Sequence, residues 1–256
     1  MRILFNEELH KYYLEGTDKV FTSVSRILDR YSPTFNQHEV SLAMAKKEVK
    51  KTGGDVEQEQ KRILAEWKEK NLRSIDRGNI IHKIKEDEEI AKGAKVHKFC
   101  PAGDKVCWDY DALKNLEDGV YVEFIVPFFQ GWLIGQVDYF NIKDKKFYLK
   151  DYKTNEDFQI EPKKYFNPKS NRYEFKYFSN PLNHWEHSKF RYYTLQLSMY
   201  SYFLESLGYE CQGIEIEHFQ FKDNKVSGST TYLVPYEKEK VKSLIKHFIY
   251  AQGNTR

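Results

Sequence analysis

Three apolar runs, GVYVEFIVPFF, GWLIGQVDYFNI and KKFYLKDYKT, follow one another between residues 119 and 154, with only short polar breaks at Gln130-Gly131 and Asp144-Lys145. β-Branched and aromatic residues at this density, punctuated by turn residues, require extended strands, and turns this short join them as an antiparallel meander. Around this core the apolar spacing is helical. SVSRILDRY, EVSLAMAKKEVKK and VEQEQKRILAEWKEKNLRSI precede it, with Gly53-Gly54 breaking the last two apart, and SIDRGNIIHKIKEDEEIAKG is expected to form a further helix with Ile80, Ile81 and Ile84 on one face. After the meander come the helix RYYTLQLSMYSYFLESLG, ending at Gly208, strands in GIEIEHFQF and TTYLV, and a closing helix, YEKEKVKSLIKHFIYAQ. The opening FNEELHKYYLEG and KVFTSV form two extended segments about a turn at Gly16, a small hairpin. The expected fold class is α/β, with helices packed against one mixed sheet.

A chain of 256 residues accommodates one substantial domain. The expectation is a single unit over 1–256: a hairpin and helical appendage over 1–70, and a core over 71–256 carrying a basic and aromatic insertion at 156–185. No apolar stretch approaches the roughly 20 residues of a bilayer span, so no membrane partner is expected. The amino terminus has no basic region followed by an apolar core, and Cys100, Cys107 and Cys211 have no CxxC spacing, which argues for a reducing, cytoplasmic setting. With 41 basic against 38 acidic residues, a net charge of +3, global charge says little about a polyanionic partner.

Two neighbouring strands each bring an aspartate, Asp138 in GQVDYF and Asp151 in LKDYKT, and Lys153 follows Asp151 by two. Residues i and i+2 of a strand share a face, so Asp151 and Lys153 project together, and Asp138 approaches them across the hairpin. Two carboxylates and an ammonium on one patch suit a hard divalent cation, with the lysine orienting or deprotonating a water and balancing phosphate charge. An ordinary cross-strand ion pair is the other reading. The flanking residues, Trp132, Leu133, Ile134, Val137, Phe147 and Leu149, are strongly apolar, so charges among them need a reason.

Gly135-Gln136-Val137-Asp138 followed by Asp151-Tyr152-Lys153 resembles the G-x-x-D and D-x-K signature of PD-(D/E)XK nucleases. Gly78-Asn79-Ile80-Ile81-His82 is similar to the helical G-x-x-x-H of their RecB-like and phage-type exonuclease branch, and Gln196-Leu197-Ser198-Met199-Tyr200 to its Q-x-x-x-Y helix. Phe21-Thr22-Ser23-Val24-Ser25 is similar to an amino-terminal entry of phage-type members, so the resemblance runs from about residue 5 to 205. It implies a restriction-endonuclease-like core and Mg²⁺- or Mn²⁺-dependent hydrolysis of DNA, from an end, in recombination, repair or phage replication, with a possible partner protein from those processes. It also implies that His82, Asp138, Asp151 and the carbonyl of Tyr152 hold the ion, that Lys153 positions the attacking water, and that Glu123 is an accessory acid. The second acidic position is Asp151 rather than Glu, and the four cysteines of the iron-sulfur relatives are missing, so no such cluster is expected.

Some residues carry two readings. Glu123 alternates with Val122 and Phe124 and is either an exposed strand residue or part of the site. Gln196 and Tyr200, spaced i and i+4, share a helix face that packs in the core or reaches the substrate. Lys163, Lys164, Lys169 and Arg172, interleaved with Tyr165, Phe166 and Tyr173, suit a surface that follows a nucleic-acid backbone, or a solvated loop. An endonuclease of the same superfamily and a non-catalytic nucleic-acid-binding scaffold are the competing functions.

Overall fold

A computed structural model describes residues 1–253 other than 7, 10, 97–105, 168–171 and 224. In chain order the elements are β1 (Arg2–Asn6), β2 (Lys11–Leu14), β3 (Val20–Ser23), α1 (Val24–Tyr31), α2 (Gln37–Thr52), α3 (Val56–Ala91), β4 (Lys95–Val96) and β5 (Val106–Asp109). A 3-10 turn at Ala112–Asn115 leads into β6 (Gly119–Phe128), β7 (Leu133–Lys143), β8 (Lys146–Lys153), β9 (Lys164–Asn167) and β10 (Arg172–Phe175). The chain closes with α4 (Lys189–Ser206), β11 (Glu210–Lys222), β12 (Lys225–Leu233) and α5 (Lys238–Gly253). Cys100, Pro101, Gly103 and Lys169 lie outside the described residues.

The meander is present: β6, β7 and β8 pair antiparallel in sequence order. The β7–β8 turn is a two-residue hairpin in which Asp144 and Lys145 both take positive φ, 50° and 60°, and the Asp118 carboxylate accepts the Asp144 N–H at 3.0 Å. Beyond it the sheet is mixed. β8 pairs parallel with β11, which pairs antiparallel with β12; on the other side β3 pairs parallel with β7 and continues through β2 and β1 to β5. The first extended run therefore divides into β1 and β2, Gly16 lies in the turn before β3, and these strands extend the central sheet.

Helices cover both faces. On β8, Phe147 and Leu149 join the main core with α1, α4 and α5, whereas Tyr152, of opposite parity, packs with Phe219 of β11 under Ile81 of α3. The expected separate helices over the third and fourth helical segments are one continuous helix of 36 residues, α3, roughly 50 Å long. Gly78 does not break it, because a helix tolerates one interior glycine at a cost of about 1 kcal/mol. Of the Ile80, Ile81 and Ile84 face, only Ile81 is buried. Much of α3 touches no sheet and is laced by ion pairs one turn apart, Lys61–Glu57, Arg62–Glu66, Arg73–Glu69 and Lys83–Asp87. The expected insertion contains the β9–β10 hairpin, paired from Lys164↔Phe175 to Asn167↔Arg172.

Candidate active site

The β7–β8 ladder runs from Lys143↔Lys146 to Tyr139↔Lys150 and stops. The next pair in register is Asp138 and Asp151. Here the strands part. β8 continues along β11, β7 continues along β6, and further on β7 takes β3 as its neighbour at Leu133 and Ile134. In place of a ladder bond, the Tyr152 N–H donates to Asp138 Oδ2 at 2.8 Å. The two aspartates are thus fixed at the mouth of a fork, where the sheet leaves room between strands for side chains from both of its faces.

β6 and β7 both lose their two-residue alternation at this level. Tyr121 and Phe124 of β6 belong to the same core, as do Val137 and Phe140 of β7, so the phase slips at Glu123 and at Asp138, which stand opposite one another. Glu123 has φ 50°, a value uncommon outside glycine, in the middle of a strand. Regular alternation would place Glu123 opposite both of its buried neighbours. With the slip, it joins His82 and Asp138 in a group whose potential ligand atoms all lie within 4.8 Å of one another. His82 arrives from α3, which Ile81 anchors on Tyr152 and Phe219, and its Nδ1 is 3.3 Å from Asp138 Oδ1.

The charges in this group perturb each other. Burial opposes the charged form of Asp138, but the hydrogen bond and charge of His82 outweigh it and hold the carboxyl low. Burial likewise works against a charged His82, and Asp138 overcomes it, raising the imidazole to about 9. Glu123 is pushed up to about 7, first by burial and then by the Asp138 charge, while Gln136 donates a hydrogen bond to it. Asp151 lies outside the trio and is ion-paired with Lys153. Burial and the nearby Asp138 push its carboxyl up against the pull of Lys153. Burial disfavours the Lys153 ammonium, but Asp151 and Asp138 more than compensate, so the lysine stays charged.

α4 closes the back of the fork. A Cβ on Gly135 would sit 2.1 Å from the Tyr200 ring, so glycine is required for that ring to pack against β7. Gln196 Nε2 donates to Tyr200 Oη at 3.0 Å, while Gln196 Oε1 is buried without a protein partner. Tyr193 shares this face: Lys153 Nζ is 4.6 Å from its ring centroid and its hydroxyl donates to Asn155 Oδ1 at 2.6 Å. Tyr193 was not singled out from the sequence, although its spacing of three and seven residues from Gln196 and Tyr200 carries that information.

The structure therefore brings His82, Glu123, Asp138, Asp151, Lys153, Gln196 and Tyr200 into one neighbourhood, and Tyr152 contributes its N–H. Lys163 and Lys164 lie apart from it on the rim of a separate cavity, and Arg172 is exposed on β10. Two carboxylates and an imidazole form a donor set suited to Mg²⁺ or Mn²⁺. Oxygen and nitrogen atoms about 2.1 Å from a shared ion lie roughly 3 to 4 Å apart, close to the spread of this trio, so the residues fit such an ion with little movement.

No family model and no curated protein matches the chain. Among solved structures, one described as "Crystal structure of SSO0001" aligns over 89% of this chain and 84% of that one, at 11% identity and a TM-score of 0.32. A likeness of that size carries no argument. No helix among the described residues is long and apolar enough to cross a membrane.

Proposed function

We propose that this chain is a Mg²⁺- or Mn²⁺-dependent deoxyribonuclease, an exonuclease working from DNA ends, with a PD-(D/E)XK centre on a restriction-endonuclease-like core. The observation that carries the reading is the fork itself. Two aspartates face each other where a ladder ends, one beside a histidine and a glutamate, the other ion-paired with a partly buried lysine. Structural ion pairs have no need of three carboxylates within one poorly solvated neighbourhood, since each costs desolvation and repels the others.

His82, Glu123 and Asp138 would hold the ion, with Asp151 next to them. A bound divalent cation supplies Lewis acidity toward a phosphate oxygen and offsets the charge that develops there. Lys153, kept as an ammonium, is a hydrogen-bond donor: it orients the attacking water and stabilises the growing negative charge without taking up a proton. Asp151 fixes its position. The Gln196–Tyr200 pair, buried behind the fork, backs the two aspartates with a hydroxyl and an unpartnered amide oxygen.

Digestion of linear and covalently closed circular DNA, with Mn²⁺ and with excess chelator, tests the proposal. Loss of the linear form only, and only with metal, is expected. Cutting of both forms would make the protein an endonuclease; cutting of neither, or cutting in chelator, would remove the assignment.

A further inference from the structure

A cavity of about 870 Å³ opens next to the fork, between the α1–α2 connection and α3 on one side and the residues following β8 with the β9–β10 hairpin on the other. It adjoins the candidate active site without sharing its residues. Asn155, on its wall, is two residues beyond Lys153, and both contact Tyr193. Ser74 and Lys70, on its opposite wall, are two and three turns before His82 on α3. A Cβ at Gly78 would come 3.6 Å from Thr154 Oγ1, so helix and strand end are in close apposition where cavity and fork meet.

The charge of this cavity is one-sided. Lys70, Lys163, Lys164, Lys176 and Lys189 line it against Glu156 and Asp157, five cations to two anions, an excess of three that equals the net charge of the entire chain. The acids are already engaged: Glu156 pairs with Lys70 at 2.9 Å and Arg77 at 2.6 Å, and Asp157 is 3.9 Å from Lys163. Lys164, Lys176 and Lys189 instead lie over the rings of Phe175, Tyr165 and Tyr192, with no carboxylate within ion-pair distance among the described residues. His187 sits between two of these lysines. Burial, then Lys189 and Lys176, push its imidazole down to about 4, so it stays neutral where the lysines are charged.

The opposite wall is aromatic. Phe35, 60% exposed, leans against Trp67 of α3 with ring centroids 5.6 Å apart, and Tyr165 faces the same space. An aromatic pair, Phe35 exposed and Trp67 half-buried, facing three unpaired lysines matches a ligand that combines flat apolar faces with a regularly spaced anionic backbone. A duplex hides its base faces within the stack, whereas an unpaired strand presents them. An acidic peptide would satisfy the lysines and leave the rings without a partner.

We propose that this cavity is the track for an unpaired DNA strand, in which Phe35 and Trp67 stack on a base and Lys164, Lys176 and Lys189 hold the backbone as the strand passes to the fork. The proposal rests on the nuclease reading and narrows its substrate to a single strand or an unwound end.

Binding of fluorescent oligothymidylate and of a blunt duplex of equal length, measured by anisotropy in chelator so that nothing is cut, tests it on the full chain. The single strand should bind at least about 10-fold more tightly. Trp67→Ala should weaken that binding about 10-fold, on the scale of one lost base-aromatic stack, while Trp67→Phe retains most of it. Lys164→Glu with Lys176→Glu should lower the log–log salt slope by about 1.4, at 0.7 per phosphate contact. Equal affinity for duplex, competition by polyglutamate as effective as by oligothymidylate, or unchanged binding in both folded variants would overturn the track. The two readings fail separately. Normal digestion with unchanged oligothymidylate binding in the variants removes the track alone, and the expected binding without any metal-dependent digestion removes the nuclease alone.

Discussion

The fork and the cavity beside it hold charge in opposite ways. At the fork, the charges come from strands in the middle of a ten-stranded sheet; Asp138 and Asp151 are buried, Lys153 is mostly so, and all three are bonded to one another or to backbone. In the cavity, the lysines extend from α3, from the hairpin and its flanks and from the start of α4, and three of them lie over aromatic rings with no acid within reach among the described residues. Chemistry on a phosphate needs groups held within a fraction of an ångström, which a sheet core supplies. Following a strand of any sequence needs long side chains that adapt. Substitutions at the fork should therefore act on turnover, and substitutions in the cavity on binding.

The largest effect separating the two regions is expected from Asp151→Asn or Asp138→Ala. Either should lower turnover by about 10³-fold or more, the scale of losing preorganised electrostatic stabilisation, with circular dichroism and single-strand affinity close to wild type. Loss of binding in step with turnover would erase the distinction. Lys153→Ala should act on the same scale. It should abolish cleavage while DNA binding with Ca²⁺ stays measurable, because the ammonium acts on the water and the developing charge; if titration of fluorescent DNA shows binding lost as well, Lys153 is a phosphate anchor. His82→Ala should cost about 10-fold in apparent metal affinity, toward the lower end for a perturbed ligand set, and the deficit should shrink with Mn²⁺, which tolerates an irregular coordination shell that Mg²⁺ does not. An equal deficit with both ions would place His82 outside the metal's reach. Arg172→Ala should change single-strand affinity by less than about 2-fold, as for other exposed positions away from a site. A larger change would extend the track onto β10.

The meander, α4 and the Asp138–Asp151–Lys153 patch were legible because period-two alternation and short turns fix strand pairing locally. The helical pattern of α3 was legible too, but not its continuity: Gly78 reads as a boundary in sequence, yet the helix runs through it, close to Thr154. Glu123 shows the other limit. Strict alternation leaves its role open, since the phase slip that directs it toward Asp138 comes from a positive φ that nothing in VYVEFIV signals. The G in GQVD is a motif letter in sequence and a steric requirement in the fold, set by Tyr200, 65 residues further on. The cavity was half visible. Lys163 and Lys164 stood out within a basic, aromatic stretch, but Phe35 from the α1–α2 connection and Trp67 and Lys70 from α3 are far away in sequence, and long-range packing alone assembles them.

The central claim, that the fork is a metal centre, is tested most directly by titrating Mn²⁺ into the DNA-free protein and reading bound ion by electron paramagnetic resonance. In the free protein Glu123 holds a proton up to about pH 7 and His82 up to about pH 9. An ion binding both must displace those protons, so its affinity should rise with pH across that range. The account predicts saturable Mn²⁺ binding that tightens from pH 6 to pH 8 and disappears in Asp138→Ala. Binding that is indifferent to pH and survives in Asp138→Ala, or no saturable binding at all, would contradict it.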